Sequence, residues 1–190
     1  MTREPAAPAR RLFFALWPDE PQRRALEHAA AKAVRHSGGR PVPLSNLHVT
    51  LAFLGSVAAA LLPELQRLAR EQAAALAQDA PATLTFIRLA HWKEAQILCV
   101  LAEEAPGARA LAVALQGATA ALGLSPDRKP FQPHVTLARK VLRASAMPRL
   151  RPVVWHFDAF ALIDSRTEPS GPLYSVIDSY PLVATDKGRD

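Results

Sequence analysis

The word His-Val-Thr-Leu-Ala stands twice in this chain, opening at His48 and again at His134. Each copy sets an imidazole and a hydroxyl two residues apart. Successive side chains of an extended strand point to opposite faces, so His48 and Thr50 share one face and Val49, Leu51 and Phe53 the other. In the second copy His134 and Thr136 lie opposite Val135 and Leu137. The apolar partners suit a core, which leaves each His-x-Thr pair facing outward or into a cleft. An imidazole gives or takes a proton near neutral pH, and a threonine hydroxyl donates to an anionic oxygen. Two such pairs facing each other would supply a base, an acid and two donors around one phosphate. A lone strand histidine is usually structural. A repeated five-residue word, however, is expected by chance in only roughly a few per cent of chains of this length, which favours chemistry.

Other chemistries find little support. Cys99 is the single cysteine, which rules out an intramolecular disulfide and a cysteine-based zinc site and fits a reducing cytoplasm. His28, His36, His91 and His156 are scattered without metal-ligand spacing. The Gly-x-Ser-x-Gly nucleophile elbow and the Gly-rich lysine motif are both absent. A net charge of +6 and a pI near 10.1 favour an anionic partner such as a nucleic acid or nucleotide, although the arginines are spread along the chain. A hydrophobic fraction of 49% with 21% charged residues describes a soluble globular protein, and no apolar run is long enough to span a membrane. The first residues contain no apolar segment of a secretory signal.

Elements that could position the two motifs follow from periodicity. Residues 11–17 read as a buried strand stopped by Pro18, and Asp19 can cap a helix that runs to Gly38-Gly39. Pro41 and Pro43 hold an extended approach to the first motif strand, which is expected to end at Gly55. A second helix spans roughly residues 59–78, followed by strands over 83–89 and 96–101 joined by the 91–94 turn. A third helix runs from Pro106 to the Gly123 stop, and the proline-rich segment 125–133 delivers the second motif strand. An exposed basic loop over 143–151 and closing strands over 154–164 and 173–179 complete the order β-α-β-α-β-β-α-β-β-β. The copies lie almost half the chain apart, which suggests a pseudo-symmetric bilobal α+β body with two sheets facing each other across a groove.

These motifs carry a resemblance. The paired His-x-Thr strands, the opening Arg11-Leu12-Phe13-Phe14-Ala15-Leu16-Trp17-Pro18, the run Asn46 to Gly55 and the run Pro130 to Arg139 resemble the two-histidine phosphoesterase superfamily, and within it the LigT-like RNA 2′,3′-cyclic phosphodiesterases, also called 2′-5′ RNA ligases. The resemblance covers residues 11 to about 182. It implies an α+β fold with a pseudo-two-fold axis, in which two antiparallel sheets line a central cleft and the helices pack on the outer faces. It also implies a monomer that hydrolyses RNA 2′,3′-cyclic phosphate ends to 2′-phosphomonoesters without metal or cofactor. By that pattern His48 is the proton donor to the leaving 3′ oxygen, His134 the base that activates water, and Thr50 and Thr136 bind the phosphate. Arg139 matches an arginine that reaches the nucleotide. Simple alternation puts Arg139 on the face opposite His134, so a strand end or bulge would have to bring it round.

Phe14 or Phe13 could stack on a base, although at least one of the two is expected in the core. Residues 1–10 read as a disordered leader, 11–182 as one bilobal domain and 183–190 as a flexible tail. Two other functions stay open on the residues alone: 2′-5′ RNA ligation, and non-catalytic binding of RNA or nucleotides.

Overall fold

The computed structural model describes residues 9–76, 82–103, 105–124, 130–143, 147–169 and 171–182. Most of the expected leader, the tail, the end of the second helix, and parts of the 125–133 approach and the basic loop lie outside these residues. The described elements are β1 (Arg10–Leu16), α1 (Glu20–His36), β2 (Arg40–Pro41), β3 (Val49–Val57), α2 (Leu62–Leu76), β4 (Ala82–Trp92), β5 (Ile97–Ala102), α3 (Pro106–Ala121), β6 (His134–Arg139), β7 (Val153–Phe157), β8 (Ala159–Glu168) and β9 (Gly171–Pro181).

The strands form two antiparallel sheets, ordered β3-β1-β8-β9 and β2-β6-β5-β4-β7. From β3 outward the first matches the second from β6 outward, motif strand against motif strand. One core lies beneath both sheets: Phe14, Leu51, Phe86, Val135, Trp155 and Phe160 pack there with Leu26, Leu65 and Leu111 from the three helices. The opposite faces carry two small clusters. On the first sheet Phe13, Ala15, Ala161 and Ile163 pack with Trp17 and Tyr174, and on the second Ile97, Cys99 and Leu101 pack with Ala90 and Trp92.

Helix placement ties the lobes together. Asp19 and Gln22 cap α1 reciprocally, each side chain accepting from the other's backbone N–H. The Gln22 amide then donates to the His156 carbonyl, and Trp155 Nε1 donates to the Gln22 carbonyl, both at 2.9 Å. Thus α1 leaves β1 of the first sheet, leads into the short β2 of the second, and packs on β6 and β7 of that second sheet. Conversely α3, which joins strands of the second sheet, leans on β3 as well as β4, and Gln116 donates to the Leu51 carbonyl at 3.1 Å.

Three expectations are corrected. The strand expected over 154–164 is two strands in different sheets; the chain bends at Asp158, whose carbonyl accepts from the Leu182 N–H at 2.6 Å. The first motif strand passes Gly55 and continues to Val57, because glycine at φ +69° absorbs an irregularity there at no steric cost. The two lobes interleave along the chain, since β8 and β9 complete the first sheet. Arg10, assigned to the leader, belongs to β1 and pairs with the buried Asp164 at 2.8 Å.

Candidate active site

Each motif histidine is held by a carbonyl two residues before it. His48 Nδ1 donates to the Asn46 carbonyl at 2.7 Å, and His134 Nδ1 donates to the Gln132 carbonyl at 2.9 Å. A carbonyl only accepts, so each neutral ring carries its proton on Nδ1 and presents the Nε2 lone pair. His48 Nε2 accepts from the Thr50 hydroxyl at 3.1 Å. Asn46 is itself anchored, its side-chain amide donating to the Pro172 carbonyl of β9 at 2.8 Å.

The two histidines lie within electrostatic reach of each other. β3 touches β6, and positive charge on His134 or Arg139 depresses the His48 pKa. The first cause of that depression is burial, which lowers His48 to about 4 against the opposing effect of the Asn46 carbonyl. His134 is lowered as well, by burial first and then by Arg139. Both rings are therefore neutral at pH 7, and a phosphate anion between them would favour protonation.

Aromatic side chains supply the burial. Around His48 stand Phe13 with ring centroids 5.0 Å away, Trp17 stacked at 5.7 Å and Tyr174 edge-on at 5.3 Å. The guanidinium of Arg23 lies 4.9 Å from the Trp17 ring centre. His134 has one such neighbour, Trp92, at 4.5 Å. Trp17, Tyr174 and Trp92 were not singled out from sequence. The spacing of Phe13, Ala15 and Trp17 at every second residue was a signal for this face, obscured because β1 reads as apolar on both sides.

A bulge decides where Arg139 points. In the β5–β6 register Cys99 faces Thr136 but Leu98 faces Ala138, so Leu137 is an extra residue. Alternation resets there, and Arg139 pairs with Ile97 on the face that carries Cys99, Leu101 and His134. Gly39 permits a close crossing at this end of β6: a Cβ would lie 2.7 Å from the Arg139 carbonyl oxygen.

The same irregularity at Leu51 overturns the expectation for Phe53. It pairs with Phe13 on the cleft side, 37% exposed, instead of joining Val49 and Leu51 in the core. Phe14 is likewise corrected as a base-stacking candidate. It is fully buried against Phe160 and Tyr180, and its neighbour Phe13 faces the cleft.

The other candidate histidines stay outside the pair: His91 Nε2 meets the Val141 carbonyl at 2.8 Å and His156 Nδ1 meets Thr83 at 3.2 Å. Among the described residues no group of three or more His, Cys, Asp or Glu could hold a metal ion, and no helix is long and apolar enough to cross a membrane. Burial raises the Cys99 thiol to about 12, which makes it inert.

Comparison with known proteins places these observations. Residues 17–169 match the model of the 2′-5′ RNA ligase superfamily. The chain is 35% identical to an RNA 2′,3′-cyclic phosphodiesterase of Thermus thermophilus over 90% of each chain. It is 33% identical to the Escherichia coli protein of that name, over 73% of this chain and 76% of the relative. The crystal structure of E. coli LigT complexed with 3′-AMP matches with a TM-score of 0.81 at 30% identity, covering 93% of this chain and 99% of that one.

Proposed function

Since this chain belongs to the 2′-5′ RNA ligase superfamily, we propose that it hydrolyses RNA 2′,3′-cyclic phosphate ends to 2′-phosphomonoesters. The supporting observation is the pair of imidazoles within electrostatic reach of each other, each with Nδ1 committed to a backbone carbonyl, so that Nε2 faces His-x-Thr chemistry: that of His48 meets the Thr50 hydroxyl and that of His134 is available to water. In the proposed reaction His134 Nε2 takes a proton from water as its oxygen attacks phosphorus. The P–O3′ bond breaks in line, and protonated His48 gives its Nε2 proton to the departing 3′ oxygen. The Thr50 and Thr136 hydroxyls donate to the non-bridging oxygens, where charge accumulates. Arg139, carried to this face by the bulge, adds positive charge beside the nucleotide. Both proton transfers are assigned to imidazoles, so no cofactor enters the scheme. We also place the chain in a reducing cytoplasm, as a monomer.

The test is turnover of 2′,3′-cyclic AMP in EDTA by the wild type, His48→Ala and His134→Ala. Each substitution is expected to cost about 10²–10⁴-fold with an unchanged circular dichroism spectrum. Near-wild-type rates in either variant, or wild-type binding without turnover, would sink the reading. A substrate with sulfur in place of the 3′ oxygen separates the roles, because a thiolate leaves without a proton. It should restore His48→Ala and leave His134→Ala inactive.

A further inference from the structure

A groove of about 930 Å³ opens on the second sheet, lined by Arg88, Trp92, Lys93, Leu101, Gln132 and Arg143 among others. It is continuous with the proposed site. Trp92 contacts the His134 ring, Gln132 holds its Nδ1, and Leu101 is its strand partner. Arg88 pairs with Leu101 from the far side, so His134, Leu101 and Arg88 form one row across β6, β5 and β4. At about 4.8 Å per strand the Arg88 Cα lies roughly 10 Å from that of His134. The positive charge of Arg88 acts on the Cys99 thiol, which sits on the cleft face.

The lining contains Arg88, His91, Lys93 and Arg143 and no carboxylate. Arg88, Lys93 and Arg143 enter none of the ion pairs among the described residues. Cations without an ion-pair partner among the described residues, converging on a groove that leads from a phosphate site, form an electrostatic track for a polyanion.

Building on the cyclic-end reading, we infer that this groove holds the single-stranded RNA that precedes the cyclic terminus, with Arg88, Lys93 and Arg143 on its backbone phosphates. Chemical polarity requires that direction: a 2′,3′-cyclic phosphate ends a strand, so every further nucleotide extends from its 5′ side. At about 930 Å³ the groove has room for more than the one nucleotide the histidines engage. The chain is thereby an oligonucleotide-end enzyme, and a mononucleotide uses only part of its binding surface.

The experiment compares wild type with an Arg88→Gln/Lys93→Gln/Arg143→Gln variant on two substrates, 2′,3′-cyclic AMP and a hexaribonucleotide with a 2′,3′-cyclic end. For the variant, kcat/KM should fall at least tenfold on the hexamer and stay unchanged on the mononucleotide. Binding of a labelled hexamer with a 2′-phosphate end should lose salt dependence, its log–log slope flattening by about 2 at roughly 0.7 per phosphate contact. Equal losses on both substrates, an unchanged slope, or equal competition by a blunt duplex would each overturn the assignment. If wild type turns over neither substrate, the hydrolytic reading fails, while the salt slope of binding still tests the groove.

Discussion

The two motif histidines each bond the carbonyl two residues before them, and three strands follow in order on one side of each motif strand, yet β3 is an edge strand, β6 is also flanked by β2, and the rings' surroundings differ. Three aromatic rings enclose His48, with Arg23 behind Trp17, and its pKa falls to about 4. His134 has one ring beside it and opens onto a basic groove. A repeated sequence word thus specifies where the imidazoles sit, and the non-repeated strands beside them specify what they do. Those are Phe13 on β1, Trp17 just past its end and Tyr174 on β9; on β4 they are Arg88 and Trp92. One lobe is built to hold a proton carrier out of water, the other to admit an anionic chain.

The threonines give the largest test of this asymmetry beyond the histidines themselves. Replacing either by valine keeps the shape and removes one anion donor, for an expected loss of about 10²–10³-fold in kcat. Only Thr50 also bonds its histidine, so Thr50→Val alone should displace the pH profile of kcat/KM. A displaced profile in Thr136→Val instead would break the distinction.

A smaller effect appears in stability. Above the ordinary histidine value of 6.5 both folded and unfolded chains leave His48 neutral, and its burial costs nothing. As pH falls from 6.5 to about 4 the unfolded chain gains a proton that the folded chain refuses, so stability declines and then levels off. At about 1.4 kcal/mol per unit the ceiling is roughly 3 kcal/mol, reduced by the partial exposure of His48. Urea denaturation between pH 7.5 and 4 should show a steeper decline in wild type than in His48→Gln, and parallel curves would contradict the enclosure described.

The smallest expected change comes from Arg23→Met. Removing that charge should raise the His48 pKa by a fraction of a unit, read from the ring proton by NMR, and leave His134 where it was. Arg23→Lys should restore the wild-type value, whereas a shift in both rings would indicate a general loosening.

Much of this was legible from residues alone. Alternation placed each His-x-Thr pair, His48 with Thr50 and His134 with Thr136, on one face of its strand, Asp19 announced the start of α1, and nine of the ten expected elements fall close to their expected spans. What failed has a common cause. Period-two reasoning holds only between bulges, so Leu51 and Leu137, each an extra residue, reversed the expectation for Phe53 and satisfied the condition set for Arg139. Phe13 and Phe14 are indistinguishable in a strand apolar on both faces. The split at Asp158 was hidden because the residues on either side are equally suited to strands. No local pattern encodes which sheet a crossover helix will cover.

That last point bears on how the enzyme can move. With α1 running from β1 of the first sheet onto β6 and β7 of the second, and α3 hooked onto β3, the lobes are cross-braced like the legs of a trestle. Spreading them would strip helices from a core that spans both sheets, so the distance between the two imidazoles is a fixed gauge. A frame braced in this way favours ligands that fit the aperture already present over ones that require the lobes to part.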